Sequence, residues 1–275
     1  MDRRVALAVA VAVAMVLAGC SWVEQPDTDR PASTNATEGS DGGTIPAGRL
    51  NDHTAVLANE SYELDIAVTI RTPSRSRNAT VAVASDPDGQ RQLIRTRSRN
   101  GTLDRYVNDT AVFSRVETNG TTEYGRTALG NARFSTAHTD GVRIGRLATI
   151  YEFGQFEPAG NVTRDGQRYA AFELERVNTG SNATVRLDHS SGRILVAPNG
   201  VIRRATIDLR GTQRGEPFVY AIDYRISGVG DVSVQPPAWL DETRVRDNST
   251  NATGTPQNGT AAQTTSVSGL SVRFS

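Results

Sequence analysis

Cys20 is the only cysteine in a chain of 275 residues. It directly follows Leu17-Ala18-Gly19 at the end of an apolar run over residues 5–18, itself preceded by Asp2, Arg3 and Arg4. A thiolate is a nucleophile that can accept a lipid, and small neighbours let a peptidase approach. A basic start, a short apolar stretch and small residues before a cut describe a secretory signal; the run is shorter than the roughly 20 residues a membrane-spanning helix needs. The three histidines, His53, His138 and His189, are far apart and show no metal-ligand spacing such as H-x-x-x-H. Each reads as a surface or turn residue, and no metal or cofactor is expected. Asp188-His189-Ser190 brings hydrolytic residue types together, but triad members converge in space rather than in sequence. No G-x-S-x-G elbow, P-loop or G-x-G-x-x-G is present. Asp86-Pro87-Asp88-Gly89 lacks the later ligands of a calcium loop and reads as a turn. The chain is therefore not expected to be an enzyme; an envelope hydrolase would require His138 or His189 to meet an acid and a nucleophile in the fold.

Arginine supplies a second kind of chemistry. All 30 basic residues are Arg, balanced by 30 Asp and Glu, so net charge gives no pull toward nucleic acid. Arg91, Arg95, Arg97, Arg99 and Arg105 are concentrated in the first half. Arg95, Arg97 and Arg99 share one face of a strand and could grip a lipid headgroup or an anionic glycan bidentately. The competing reading is a solvated face paired with Asp and Glu of adjacent strands.

Asparagine marks the surface. Of 15 Asn, 11 begin an N-x-S/T triplet: Asn35, Asn59, Asn78, Asn100, Asn108, Asn119, Asn161, Asn182, Asn248, Asn251 and Asn258. With Ser and Thr together at 50 of 275 residues, chance alone gives about 3. The excess points to glycosylation of an exported protein, with part of it explained by the fitness of Asn-Gly and Asn-Asp for turns.

These residues are carried by a simple layout. Residues 1–19 read as a signal peptide, and 20–48 as a lipidated Cys with a disordered Ser/Thr/Pro/Gly tether too polar to fold. A β-rich domain occupies 49–246, and 247–275 form a low-complexity tail that ends in an unassigned alternation of Leu270, Val272 and Phe274. Within the domain, Tyr62, Leu64, Ile66, Val68 and Ile70 alternate with polar residues, as do Phe218 to Ile226, Ala170 to Leu174 and Ala205 to Leu209. Period two is the mark of a half-buried strand. Turns are expected at Asp86-Pro87-Asp88-Gly89, Asn100-Gly101, Asn119-Gly120, Asp165-Gly166, Ser191-Gly192 and Asn199-Gly200, and their close spacing favours an antiparallel meander. Helices are expected over Leu50 to Glu60 and over 141–153, where Ile144, Leu147, Ala148 and Tyr151 have helical spacing; Thr139 or Asp140 could cap the second.

Leu17-Ala18-Gly19-Cys20 resembles the lipobox of bacterial and archaeal lipoproteins, which implies a membrane anchor through lipid on Cys20 after cleavage. The leading helix into Tyr62–Ile70, the Tyr106-Val107-Asn108-Asp109 turn into Ala111–Val116, the middle helix and the closing Val234-Gln235-Pro236-Pro237-Ala238-Trp239-Leu240 resemble the lipoprotein-carrier superfamily of LolA/LolB and LppX/LprG. The whole layout is similar to that of haloarchaeal lipoproteins. The resemblance implies a mainly β (α+β) fold, a strongly curved antiparallel sheet forming an open half-barrel, with helices covering its concave face. It implies a lipid or other hydrophobic ligand, held or shuttled at the outer face of the cell membrane. Low aromatic content, 6%, leaves room for an alternative, a glycosylated structural or interaction module whose core is filled.

Overall fold

The computed structural model describes residues 48–130, 132–178 and 185–243. Cys20, its three preceding residues, and Asn35, Asn182, Asn248, Asn251 and Asn258 lie outside the described residues. A helix α1 (Gly48–Leu57) leads into six strands: β1 (Tyr62–Thr72), β2 (Arg75–Asp86), β3 (Arg91–Ser98), β4 (Gly101–Val107), β5 (Ala111–Thr118) and β6 (Thr121–Ala128). Two helices follow, α2 (Phe134–Gly141) and α3 (Ile144–Phe153). Five more strands complete the sheet: β7 (Gly154–Arg164), β8 (Gln167–Val177), β9 (Val185–Val196), β10 (Ile202–Gln213) and β11 (Glu216–Ser227).

All eleven strands form one antiparallel sheet in the order β6-β5-β4-β3-β2-β1-β11-β10-β9-β8-β7. The first and last strands meet in the middle, where Leu64 lies opposite Ile226 and Ile66 opposite Tyr224. The edges, β6 and β7, do not pair with each other, so the sheet is an open half-barrel rather than a closed barrel. Because β6 and β7 are consecutive in the chain but lie at opposite edges, the connection between them must cross a face. That connection contains α2 and α3.

Sequence alternation sets which face they cover. Along β1, Tyr62, Leu64 and Ile66 are buried while Glu63, Asp65 and Ala67 are exposed. Register carries the apolar set through Val83 and Ile94 on one side, and through Tyr224, Ile222, Ala205 and Ile207 on the other. Leu57 of α1, Val142, and Leu147 and Ile150 of α3 complete this core, each at 0% exposure. Burying one such side chain is worth roughly 1.5–3 kcal/mol. The centre of the concave face is thus filled by helices, as in the filled-core alternative.

The outer face has a smaller core of its own. After β11 the chain turns back as a strap over residues 228–243, pinned where the Gly230 and Val232 amides donate to the Ser61 carbonyl and hydroxyl, both at 2.9 Å. Val234, Trp239 and Leu240 then pack on Tyr106, Ala111 and Phe113, with Leu93 and Tyr124 at the border.

Several expectations require correction. The middle helix starts at Ile144, not 141, and a separate helix precedes it; Thr139 and Asp140 lie inside that helix instead of capping α3. The N-cap position of α3 is Arg143, at φ 55° with no side-chain cap. The break has a use, since the Val142 carbonyl accepts the Tyr224 hydroxyl proton at 2.9 Å. Ser191-Gly192 is not a turn but lies within β9. A Cβ at Gly192 would come within 3.1 Å of both Leu174 and Phe156, so the glycine serves side-chain packing across strands. The leading helix covers Gly48–Leu57 and stops short of Glu60.

His53 and His138 are fully buried rather than superficial, at 0% and 1% exposure. The Ile202 amide donates to His53 Nδ1 at 3.1 Å, which places the ring proton on Nε2, and Nε2 donates to the Tyr224 hydroxyl at 3.1 Å. The Tyr224 hydroxyl in turn donates to the Val142 carbonyl. This relay ties α1, β10, β11 and the α2–α3 break together. Burial lowers the His53 pKa from 6.5 to about 4. The unfolded chain therefore binds a proton below pH 6.5 that the folded chain refuses, so stability from this group is complete above pH 6.5 and is lost as pH falls toward 4. The loss is expected to reach roughly 3 kcal/mol. Thermal melts at pH 7, 6, 5 and 4 should show it, with a shallower decline in His53→Gln, which keeps a donor and an acceptor but does not titrate; parallel declines would contradict this account.

Candidate functional site

Among the described residues the concave face has an opening beside its helix-covered centre. An apolar notch of about 290 Å³ is lined by Ala170 and Phe172 of β8, Val196 of β9, Ala197 and Pro198 of the following loop, Asn161 of β7, Arg49 of α1 and Arg168. Its floor follows from register, which sets Ala170 opposite Val196 and Phe172 opposite Ile194 on the helix-facing side. Its wall is the first turn of α1, held against the β9–β10 loop by the His53 bond to the Ile202 amide. Apolar floor and cationic rim are the two requirements for an amphiphile with an anionic head. Nearby, the Tyr151 hydroxyl is buried with no hydrogen-bond partner among the described residues. Burial pushes its pKa up to about 12, against the pull of the Arg49 charge, so it stays a neutral donor close to Arg49.

A second opening, about 510 Å³, lies on the outer side of the same region and is polar. Arg164, Arg193, Arg204, Glu173, Ser191 and Thr206 are among its lining residues. Its charges are mostly matched: Arg193 pairs with Glu173, and Arg204 pairs bidentately with Asp223 at 2.8 and 3.2 Å. Both openings flank a seam in the sheet. Among the described residues β8 and β9 pair through four positions, Ala170 to Glu173 against Val196 to Arg193.

The arginine face is also accounted for in part by neighbours. Arg95 and Arg97 are exposed on the outer side of β3, and register sets Arg95 opposite Asp104. Burial raises the Asp104 pKa, while Arg95, Arg115 and Arg97 pull it back down. Arg99 is not on the shared strand face; it sits in the turn after β3, which ends at Ser98. Of the sequons among the described residues, Asn59, Asn78, Asn100, Asn119 and Asn161 are exposed. Asn108 is half-buried, and its side-chain carbonyl accepts the Thr110 and Ala111 amides at 3.0 and 2.9 Å. Its turn geometry alone explains that residue.

The hydrolytic requirement does bring a serine to a histidine. Ser85 Oγ lies 2.7 Å from His138 Nδ1. Yet His138 Nε2 donates to the Leu57 carbonyl at 2.8 Å, where a triad would hold a carboxylate, and Ser85 and His138 are at 0% and 1% exposure. Gln92 Nε2 donates to Ser85 Oγ at 3.2 Å and to the Ala137 carbonyl at 2.9 Å, and the Tyr62 hydroxyl donates to the His138 carbonyl at 2.6 Å. The cluster fastens α1 and α2 to β1, β2 and β3. Its two histidine contacts were invisible in sequence because the partners are 53 and 81 residues away; so was Arg49, whose place at the notch depends on how α1 docks. His189 is exposed on β9. Among the described residues there is no group of three or more His, Cys, Asp or Glu able to hold a metal ion.

A family model described as a family of unknown function, DUF7537, matches residues 5–243. The chain belongs to that family. No curated protein matches it. Solved structures similar to it include LprF from Mycobacterium bovis, at 13% identity and TM-score 0.34 over 71% of this chain and 99% of that one. Lipoprotein LppX from Mycobacterium tuberculosis is similar at 14% identity and TM-score 0.33, over 68% and 96%. A DUF1329 family protein from Desulfovibrio piger has 10% identity and TM-score 0.25, over 72% and 97%.

The Ser85–His138 pair is expected to be structural. Ser85→Ala leaves His138 Nδ1 without a donor and should lower stability by roughly 1–3 kcal/mol, read as a lower urea midpoint at unchanged slope. A midpoint equal to that of the parent chain would contradict the assignment.

Proposed function

We propose that this protein is a cell-surface lipoprotein, anchored through lipid on Cys20, whose half-barrel holds the apolar end of a lipid or other hydrophobic ligand. The observation that carries the reading is the notch, with Ala170, Phe172 and Val196 beneath Arg49 and Arg168. At about 290 Å³ it lies near the lower end of small-molecule sites, which run from roughly 300 Å³ upward. It therefore suits a single short chain with an anionic head more than a two-chain lipid. Guanidinium groups at the rim match a carboxylate or phosphate. Among the described residues no helix is long and apolar enough to cross a membrane. Glycans on exposed sequons such as Asn78 and Asn119 belong to the same proposal.

A second reading is an interaction module without a ligand, favoured by the helix-filled centre of the concave face. The two readings differ in whether the notch is occupied in the cell. Full-length protein carrying Cys20→Ser, purified without detergent extraction of the ligand, should yield a stoichiometric amphiphile by lipid extraction and mass spectrometry. Ala170→Trp, which fills the notch from its floor, should lose that amphiphile while keeping its melting temperature within a few degrees. Lipid-free protein in both cases would favour the interaction module.

Anchoring has its own test. The unsubstituted protein should fractionate with membranes and carry the added mass of a lipid, and Cys20→Ser should lose that mass and leave the pellet. Retention of Cys20→Ser in the pellet, with no lipid mass on the parent chain, would refute the anchor.

A further inference from the structure

β5 pairs with one side of β6, and among the described residues no strand pairs with the other. The backbone groups of this edge have a definite direction. Thr118 and Thr121 flank the two-residue Asn119-Gly120 turn as a hydrogen-bonded pair, and bonded and non-bonded pairs then alternate along the antiparallel ladder. At the other end the Leu129 amide donates to the Thr110 carbonyl at 2.9 Å, in the same phase. Odd positions of β6 therefore bond to β5. Thr122, Tyr124, Arg126 and Ala128 aim their N–H and C=O groups at the open side.

The two edges of the sheet differ. All eight residues of β6 pair with β5 in continuous register, and none is proline. β7 contains Pro158, Gly160 at φ 81° and two register shifts against β8, devices that discourage edge pairing. A regular edge is a template for a further strand, and with only one such edge, pairing through it closes at two copies.

We propose that β6 pairs antiparallel with β6 of a second copy, about a two-fold axis at Gly125, so that the two sheets become one. The strand is self-complementary about that residue. Tyr124 meets Arg126 of the second copy, Thr122 meets Ala128 and Glu123 meets Thr127, and each contact recurs by symmetry. All four open-side positions gain a hydrogen-bonded partner, and no like charges are opposed. Tyr124 and Arg126 lie on the outer face, where Tyr124 borders the strap cluster and Arg126 sits over the Phe113 ring at 5.8 Å. The Tyr124 hydroxyl contacts the Glu242 carboxylate. Arg126 of the second copy therefore arrives beside an aromatic ring and a carboxylate, and both attract a guanidinium. Centring the axis one residue earlier would set Arg126 against Thr122, away from that carboxylate. Gly125 meets its own copy at the narrow spacing of a non-bonded pair, about 4.5 Å between Cα atoms.

Sedimentation velocity of the full-length Cys20→Ser chain tests this, over a concentration series in the micromolar range that so small an interface requires. The parent should pass from monomer to dimer. Thr122→Pro removes one open-side donor and leaves the β5 ladder intact; it should stay monomeric, with a melting temperature within a few degrees of the parent. A second measurement reads the register. Cys20→Ser leaves no thiol in the chain, so a single new cysteine reports alone. Gly125→Cys should form an intermolecular disulfide on mild oxidation, the Ser114 hydroxyl rotating away from the added Cβ. Thr121→Cys should not, because its two copies are about 27 Å apart in this register. A parent that stays monomeric throughout would overturn the proposal. So would a dimer unaffected by Thr122→Pro, or equal cross-linking from both cysteines.

Discussion

The helix-to-sheet relay through His53 is the contact on which the concave side depends. An open sheet has no partner sheet to cover its apolar face, so three short helices must do it. Each of them brings polar backbone ends into the core, where an unbonded group costs about 1–3 kcal/mol. His53 answers for the Ile202 amide and Tyr224 for the Val142 carbonyl. The second histidine does the same for the Leu57 carbonyl at the end of α1. Neutral imidazole suits both places because it donates at one nitrogen and accepts at the other. The same residues that hold the helices down also set the position of Arg49 over the notch.

The strand set was legible in the sequence wherever one face was buried and the other wet. Tyr62 to Ile70 and Phe218 to Ile226 show the alternation, and the structure places them side by side at the sheet's centre. Turns built on Asp-Pro-Asp-Gly, Asn-Gly and Asp-Gly were legible for the same local reason. What failed were the places where distant residues decide. Ser191-Gly192 has turn composition, yet Leu174 and Phe156 need the absent side chain. The α2–α3 break has no Pro and no polar cap, and is set by a tyrosine 82 residues away. The buried histidines looked isolated because their partners come from other elements, and the notch was not foreseen because it arises from docking rather than from any motif.

The two openings described are therefore displaced from the centre to one side. The middle strands spend their apolar faces on α1 and α3, and the β3–β6 wing spends its outer face on the strap. What remains open is the β7–β9 wing, where small residues such as Ala170 and Ala197 leave space next to Phe172. The chemical contrast between its two sides is sharp. The inner opening is apolar with Arg49 and Arg168 among its lining residues, while the outer one is polar with Arg193 and Arg204 paired.

The seam between β8 and β9 gives that wing a mechanical character. Among the described residues the β7–β8 hairpin pairs with β9 at four ladder positions, whereas β9 and β10 run together for eleven. The far end of the hairpin is tied back to α3, where the Asn178 amide donates to the Phe153 carbonyl at 2.8 Å. The notch spans this seam: Ala170 and Phe172 belong to the hairpin, and Val196 and Ala197 to the other side. Any molecule seated in the notch would therefore bridge the seam and add contacts across it where the ladder is short.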